Sequence, residues 1–281
     1  MGALDGIDAW PVRTAAAGVT TADGSVDLHG PVAAPFALAS VTKPLTALAL
    51  LVAVEEGTVD LDEAAGPPGA TVRHLLAHAS GLAADGPEVL APPGARRIYS
   101  NAGFELLGAL VAERAAMPFA TYLDEAVLQP LGMAATRLDG SPAHGATGTV
   151  ADLLRLGREL LAPTLVAAAT LAEARATAFP GLAGVLPGFG RQEPNDWGLG
   201  FERRGAKSPH WTGRDNSPST FGHFGRSGSF LWVDPDAGLA CASLSDRDFG
   251  PWAAEAWPVL ADAVLAAHRP AAVGSPAEPA G

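Results

Sequence analysis

The sequence predicts an α/β (α+β) protein in which strands from both chain ends form one antiparallel sheet flanked by helices, with an all-helical domain inserted. Strand patterns occur near the start and return only after residue 195, helical patterns dominate between them, and one long apolar helix follows the first strands. With 281 residues the chain can bury such a core. We expect a sheet domain over 1–58 and 196–270, a helical insert over 59–195 and a disordered tail over 271–281.

The first strands are predicted within residues 13–30, where Ala22-Asp23-Gly24 is a hairpin turn signal. The next segment predicts a helix over 41–57, because Pro44 is tolerated in a first turn and Gly57 supplies a C-terminal stop. No charged residue lies between Pro44 and Val54, so no face of this helix is left for water. We therefore expect it in the middle of the protein.

The remaining elements follow from local signals. Within the insert, Thr71–Ala79 reads as a short helix, Asn101 as the cap of a longer one, and Thr149–Asp152 has capping-box spacing. Strand candidates return in "WGLGFERR", "GHFGRSGSFLWVDP" and "GLACASLSD", and the consecutive apolar residues of "SFLWV" indicate a strand covered on both faces. A final amphipathic helix is predicted over 251–268.

Charge and composition exclude several classes of partner. The net charge is −12 and no basic cluster exceeds an Arg pair, so nucleic acid and anionic membrane surfaces are poor partners. The N-terminus lacks the pattern of a secretory signal, and the apolar run at 45–54 is too short to span a bilayer. The single Cys241 cannot form an internal disulfide and reads as a buried strand residue. These features favour a cytoplasmic location; the oligomeric state stays open.

The first group with chemical potential is Ser40-Val41-Thr42-Lys43, at the start of the apolar helix. A serine hydroxyl needs a base to take its proton, and a lysine one turn away among apolar groups is pushed toward its neutral form. The helix N-terminus adds free N–H groups beside the attacking oxygen. An ordinary capping serine followed by a lysine would fit the same tetrapeptide.

Two further groups lie later in the chain. Tyr99 and Asn101 stand at a helix start, where a phenol can move a proton and a carboxamide can orient Lys43 or a substrate, although a packed tyrosine before a helix cap fits equally. His223 and Gly225 lie on a predicted strand. An imidazole can share a proton near neutrality, and a glycine lets a substrate approach the backbone, but a strand histidine is often structural.

Together and in this order, Ser-x-x-Lys, Tyr-x-Asn and His-x-Gly resemble the serine β-lactamase and penicillin-binding-protein superfamily, in its class C-like branch of esterases and D-amino-acid peptidases. Stretches such as "FALASVTKPLTALAL", "PPGARRIYSNAGFELLGALV" and "GHFGRSGSFLWVDP" resemble that family over roughly residues 15–268. The resemblance implies Ser40 as the acylated nucleophile, Lys43 as its activating neighbour and Tyr99 as a proton shuttle. It also implies that Asn101 is a positioning group and that His223 stands where many members have lysine. The backbone N–H groups of Ser40 and Arg226 would form the oxyanion hole.

Departures from the family pattern shape the expected function. His223 and Phe224 replace the lysine and small hydroxyl residue typical of β-lactamases, which weakens the case for gripping a substrate carboxylate, and the chain lacks the usual N-terminal helix over the sheet. We expect a serine hydrolase acting on a small ester or amide without metal or cofactor. A D-alanyl-D-alanine carboxypeptidase or weak class C-like β-lactamase is the alternative, and a catalytically silent binding module of the same fold is another.

Other site types were weighed. No serine lies in a Gly-x-Ser-x-Gly context. His74 and His78 have the spacing of a metal-binding helix, but Leu75 stands where such a site requires glutamate, so both are expected to be structural. Trp197, Trp211, Phe221 and Phe224 are candidates to line an apolar pocket, or simply to belong to the core.

Overall fold

The computed structural model describes residues 2–268 and contains one large antiparallel sheet. The strands are β1 (Ala15–Thr20), β2 (Ser25–His29), β3 (Phe36–Ala37), β4 (Arg137–Leu138), β5 (Ala146–Gly148), β6 (Gly184–Leu186), β7 (Gly190–Gln192), β8 (Glu202–Arg203), β9 (Phe221–Gly225), β10 (Ser229–Asp234) and β11 (Leu239–Ser245). The helices are α1 (Thr42–Glu55), α2 (Val72–Leu76), α3 (Asn101–Ala115), α4 (Phe119–Leu123), α5 (Val150–Leu161), α6 (Ala168–Arg175) and α7 (Pro251–His268).

The large sheet has the order β2-β1-β11-β10-β9-β8, and each neighbouring pair is antiparallel. Its centre joins the two ends of the chain, since Ala16 pairs with Leu244 and Val19 with Cys241. The expected fold class is thereby confirmed. Cys241 is a buried strand residue, as the sequence predicts.

Strand β10 shows why the sheet is covered on both faces. Phe230 and Trp232 point into one core with Trp257 of α7, whereas Leu231 and Val233 point into the other core, which contains α1 and α5. All six residues of the strand are buried, so a side-chain period of two leaves neither face to water. The prediction from "SFLWV" is confirmed.

Within the described residues 2–268, the segment before β1 helps to cover the outer face of the sheet. A 3₁₀ turn at Asp5–Ala9 places Leu4, Ile7 and Trp10 in the same core as α7. Ring centroids of Trp10 and Trp252 lie 5.5 Å apart. Burial of these large side chains supplies the apolar cover that a longer helix would otherwise provide.

The region 59–195 differs from a purely helical insert. It carries the short strands β4 to β7, and its helix α5 packs on the large sheet. The contact is close because Gly157 has no side chain: a Cβ there would lie 2.9 Å from Cβ of Ala240. The domain boundaries at 58 and 195 stay a prediction, and the expected tail over 271–281 lies outside the described residues.

Helix α1 is confirmed at the centre of the molecule, over Thr42–Glu55 rather than 41–57, with a 3₁₀ turn at Ala39–Val41 before it. Each residue from Thr42 to Leu51 is buried, which explains the absence of a polar face. The sequence predicted Asn101 as the cap of α3, which is one residue too late. The cap is Ser100, whose Oγ accepts from the backbone N–H of Gly103. Within residues 2–268, no helix has the length and hydropathy needed to cross a bilayer.

Candidate active site

Ser40 lies in the 3₁₀ turn between β3 and α1, where the large sheet meets the helical region. The preceding Ala39 has a φ of 44°, a left-handed conformation that costs an alanine of order 1 kcal/mol or more. The turn is held by hydrogen bonds from the β9–β10 hairpin: Ser229 Oγ donates to the Leu38 carbonyl at 2.7 Å, and Ser227 Oγ donates to the Ala37 carbonyl at 2.6 Å. The hairpin therefore fixes the direction in which Ser40 points.

Gly225 has a packing reason that the sequence did not reveal. A Cβ on this residue would lie 2.5 Å from the Leu38 carbonyl oxygen and 2.3 Å from Ser229 Oγ. Only a residue without a side chain lets β9 approach the nucleophile turn this closely. The space beside Gly225 is filled by protein, so the glycine serves this approach; access for a substrate backbone stays a prediction.

Tyr99 is in direct contact with Ser40. Its hydroxyl donates to Ser40 Oγ at 2.7 Å, from the extended segment just before α3. Loss of hydration raises the pKa of this phenol, and the hydrogen bond with Ser40 opposes that rise only in part. Tyr99 is therefore a protonated phenol at neutral pH, and the neighbouring lysine does not ionise it.

Lys43 is fully buried, and this burial lowers its pKa to about 7 against the opposing charges of Asp85 and Glu105. Its Nζ donates to Asn101 Oδ1 at 2.7 Å and to the Ala143 carbonyl at 3.0 Å, and lies 4.6 Å from the centroid of the Tyr99 ring. Among residues 2–268, Lys43 forms no hydrogen bond with Ser40 itself. Of the residues around Lys43, Tyr99 is the one that is hydrogen-bonded to Ser40.

Asn101 connects the lysine to the rim of the site. Its Oδ1 accepts from Lys43, and its Nδ2 donates to Asp85 Oδ1 at 2.9 Å. The two bonds fix the orientation of the carboxamide, since each side of the group has a partner of the matching type. Asp85 has no motif that identifies it in the sequence.

His223 lines the same cavity but carries no positive charge near neutrality. Burial, with Lys43 as the next cause, lowers its pKa to about 3. Its Nδ1 donates to the Phe224 carbonyl at 2.6 Å, so its Nε2 is an acceptor, and that atom has no partner among the described residues. The lowered pKa favours a neutral imidazole at this position, and the role expected for His223 in the site stays a prediction.

His78 and Arg97 support Tyr99 from behind. His78 Nδ1 accepts from the backbone N–H of Ser100 at 3.1 Å, and its ring centroid lies 4.6 Å from that of Tyr99. Arg97 is buried and donates to four backbone carbonyls, those of Ala77, Ala178, Phe179 and Asn195. The structural role expected for His78 fits this position, whereas the role of Arg97 left no signal in the sequence.

The cavity beside Ser40 has a volume of about 340 Å³. Its apolar walls include Trp197, Phe224, Phe249 and Leu186, and its polar atoms come from residues that include Ser40, Tyr99 and His223. Trp211 and Phe221, also candidates from the sequence, are buried in the two cores instead. Arg226, whose N–H is the second expected oxyanion donor, lines this cavity together with Ser40.

Both lysines of the chain are buried, but their surroundings differ. Lys207 forms an ion pair with Glu202, which also accepts from His210 Nε2 at 2.9 Å and from Trp211 Nε1 at 2.8 Å. Burial alone would raise the pKa of Glu202, yet the charges of His210 and Lys207 lower it to about 2. Glu202 is thus an ionised, fully partnered carboxylate, a structural pair rather than a candidate base.

Comparisons with known proteins agree with the fold. A structure described as a β-lactamase from Mycobacterium bovis is 57% identical, covers 95% of this chain and 99% of that chain, and superimposes with a TM-score of 0.94. A variant of simvastatin synthase from Aspergillus terreus is 18% identical, covers 93% of this chain and 92% of that chain, and has a TM-score of 0.75, which shows the fold alone.

Curated relatives match over a shorter span. Penicillin-binding protein 4* of Bacillus subtilis is 28% identical in an alignment 136 residues long, and the match covers 37% of this chain and 30% of that protein. The sequence model of the β-lactamase family, by contrast, matches residues 1–265, from before the first strand to within the last helix. The chain belongs to the β-lactamase family.

Proposed function

We propose that this protein is a serine hydrolase that cleaves a small carboxylic ester or amide through an acyl-enzyme on Ser40. One observation carries the proposal: Ser40, Tyr99 and Asn101 line one cavity, and Tyr99 is bonded to the serine. The buried Lys43 lies behind them, bonded to Asn101 and 4.6 Å from the centroid of the Tyr99 ring. A lysine with a pKa of about 7 is a base in a large share of molecules at neutral pH.

Acylation requires the Ser40 proton to leave as Oγ attacks the substrate carbonyl. The Tyr99 hydrogen turns from Ser40 Oγ toward Lys43 Nζ; Ser40 then gives its proton to Tyr99 Oη, and Tyr99 gives its own to Lys43. As the tetrahedral intermediate collapses, the proton returns along the same path to the leaving oxygen or nitrogen. Water repeats the sequence on the acyl-enzyme and releases the acid.

The developing oxyanion is assigned to the backbone N–H groups of Ser40 and Arg226. Both residues line the cavity, and the left-handed Ala39 and the side-chain-free Gly225 bring the two segments together. Backbone donors held this way need no reorganisation when charge develops, which is the source of their catalytic value.

Esters or amides without a carboxylate fit the cavity best. The walls include Trp197, Phe224 and Phe249, and His223 is neutral. The cationic Arg226 side chain is 89% exposed at the rim, 3.8 Å from Asp248. A second candidate is β-lactam hydrolysis, which the description of the Mycobacterium bovis relative favours.

A fluorophosphonate probe tests the covalent step. We expect one label per chain on the peptide that contains Ser40, and none after Ser40→Ala. Ser25→Ala is the matched control, because this serine is exposed on strand β2 and lines neither of the two cavities that contain Ser40, and its variant should label like wild type. Labelling that persists in Ser40→Ala, or that is absent from the wild-type protein, would contradict the proposal.

A further inference from the structure

A second, larger cavity lies beyond Asn101 on the side away from His223. This outer groove has a volume of about 640 Å³. Its apolar wall includes Leu82, Val89 and Leu106, and the carboxylates of Asp85 and Glu105 lie among them. Val89 is 54% exposed and Leu106 is 41% exposed, so both side chains present apolar surface to the groove or to solvent.

The outer groove is continuous with the catalytic serine. A third cavity of about 390 Å³ shares Asp85, Asn101 and His144 with the outer groove, and shares Ser40, Asn101 and Arg226 with the catalytic cavity. A substrate chain attached to the reacting carbonyl group can therefore extend past Asn101 and stay within connected cavities. The groove is thus an extension of the catalytic cavity rather than a separate pocket.

The charge of the outer groove is negative. None of the residues that line it is Lys or Arg, and His144 is its one titratable residue besides Asp85 and Glu105. Both carboxylates keep an oxygen bonded to a neutral donor: Asp85 accepts from Asn101, and Glu105 accepts from Ser141 Oγ. Neutral donors leave the carboxylates' charge uncompensated.

The same two carboxylates also act on Lys43. Both raise its pKa against the larger effect of burial, so their field reaches the catalytic centre. Tyr99, His78 and His223 are the other titratable groups around the lysine, and each stays uncharged at neutral pH. The negative field at Lys43 thus comes from the outer groove.

We propose that the outer groove holds an aliphatic chain that ends in an ammonium group, so that the ester or amide cleaved at Ser40 is cationic. The apolar wall covers the methylene groups, and Asp85 and Glu105 lie where the positive charge gains most. An anionic chain carries the same sign of charge as these carboxylates, and the repulsion disfavours its binding. The claim about turnover rests on the proposed function, but the claim about binding does not.

Binding is tested on the Ser40→Ala protein, which cannot form an acyl-enzyme. Calorimetry compares hexyltrimethylammonium, 1-hexanol and hexyl sulfate, three ligands of one chain length and charges of +1, 0 and −1. We expect the cation to bind roughly threefold to twentyfold more tightly than hexanol, since two partly exposed carboxylates each contribute a small factor, and the sulfate to bind most weakly.

Glu105→Gln should weaken binding of the cation by about twofold to fivefold and leave hexanol unchanged. Glu113→Gln is the matched control, because Glu113 is an exposed carboxylate on the same helix α3 outside the groove, and its removal changes the net charge equally. Hexanol binding as tightly as the cation, or an equal effect of the two variants, would overturn the proposal.

Turnover by the wild-type enzyme is then followed with butyrylthiocholine and two S-butyryl thiols of similar size, one neutral and one carboxylated. All three release a thiol, so one assay compares them. We expect the cationic thioester to have the highest kcat/KM; a neutral or anionic thioester that is faster contradicts the proposal. If no ester of any charge is cleaved, the proposed function fails, while the calorimetry still decides the binding claim.

Discussion

The two lysines of this chain are expected to respond to the same substitution with opposite signs. Lys43 donates to the neutral oxygens of Asn101 and Ala143, whereas Lys207 pairs with the ionised Glu202. Methionine keeps an unbranched apolar side chain of similar length and removes the ammonium group. The two variants therefore compare two buried ammonium groups. Lys43 has no carboxylate in contact with it, whereas Lys207 is in an ion pair.

The size of the Lys43 effect follows from its pKa. Burial lowers the pKa from 10.5 to about 7. Each unit of pKa corresponds to about 1.36 kcal/mol, so below pH 7 the folded state is less stable by about 5 kcal/mol than it would be with an unperturbed lysine. Two oxygens that lose their donor cost about 1–2 kcal/mol each. Lys43→Met should therefore be more stable than wild type at pH 7 by about 1–3 kcal/mol, which corresponds to a Tm higher by about 2–8 °C.

The sign can be checked through pH. Between pH 7 and 10.5 the unfolded chain keeps the Lys43 proton that the folded chain has lost, so this lysine makes wild-type stability rise with pH across that window. Lys43→Met lacks this contribution, and its advantage over wild type should shrink as the pH is raised. Lys207→Met removes the cation of the buried ion pair, leaves the Glu202 carboxylate with only the His210 and Trp211 donors, and should be less stable by about 3–5 kcal/mol.

Thermal and urea unfolding at pH 7 and at about pH 9.5 measure both variants, and ester hydrolysis is followed in parallel. Lys43→Met should be the more stable protein and inactive. A Lys43→Met protein that melts below wild type at pH 7, or an advantage that grows with pH, would refute the reasoning. It would mean that the bonds to Asn101 and Ala143 outweigh the cost of burying the ammonium.

Three further predictions concern activity. Tyr99→Phe should lower kcat by roughly 10²–10⁴ with little change in Tm, because it removes one oxygen and keeps the ring; a drop below about fivefold, with acylation rate-limiting, would leave Tyr99 as a scaffold. Short-chain aryl esters should have a higher kcat/KM than nitrocefin or benzylpenicillin, because the cavity offers a neutral His223 to the β-lactam carboxylate; β-lactams faster by about tenfold would favour the β-lactamase alternative. The kcat/KM for a neutral ester should rise with pH through about 7 as Lys43 loses its proton, and a flat profile would exclude this lysine as the base.

Local patterns predicted much of the frame. The apolar run without a polar face identified α1, and the consecutive apolar residues of β10 identified a doubly covered strand. The order of the three motifs, which resembles that of the family, predicted that Ser40, Tyr99 and His223 belong to one site, and all three line the catalytic cavity. The helix and strand signals each lie within one segment of the chain, where periodicity controls the outcome, whereas the grouping of Ser40, Tyr99 and His223 rested on the resemblance to a family.

What the sequence could not supply depends on contacts between distant segments. Spacing placed Lys43 on the same helix face as Ser40, but its nitrogen is bonded to Asn101 and to the Ala143 carbonyl, 58 and 100 residues away. A backbone carbonyl leaves no trace in residue identity. The same holds for Asp85 at the far side of Asn101, and for the left-handed Ala39 before the nucleophile.

The guanidinium of Arg97 fastens the segment that carries Tyr99 through main-chain oxygens alone. Every residue has a carbonyl, so the side chains at Ala77, Ala178, Phe179 and Asn195 can change in the course of evolution without removing an acceptor. Arg97 itself cannot be replaced in the same way, because a lysine side chain has one nitrogen that donates hydrogen bonds and a guanidinium has three. The bonds of Arg97 thus depend on the path of the main chain rather than on side-chain identity, and one buried arginine ties the segment just before Tyr99 to three other parts of the chain.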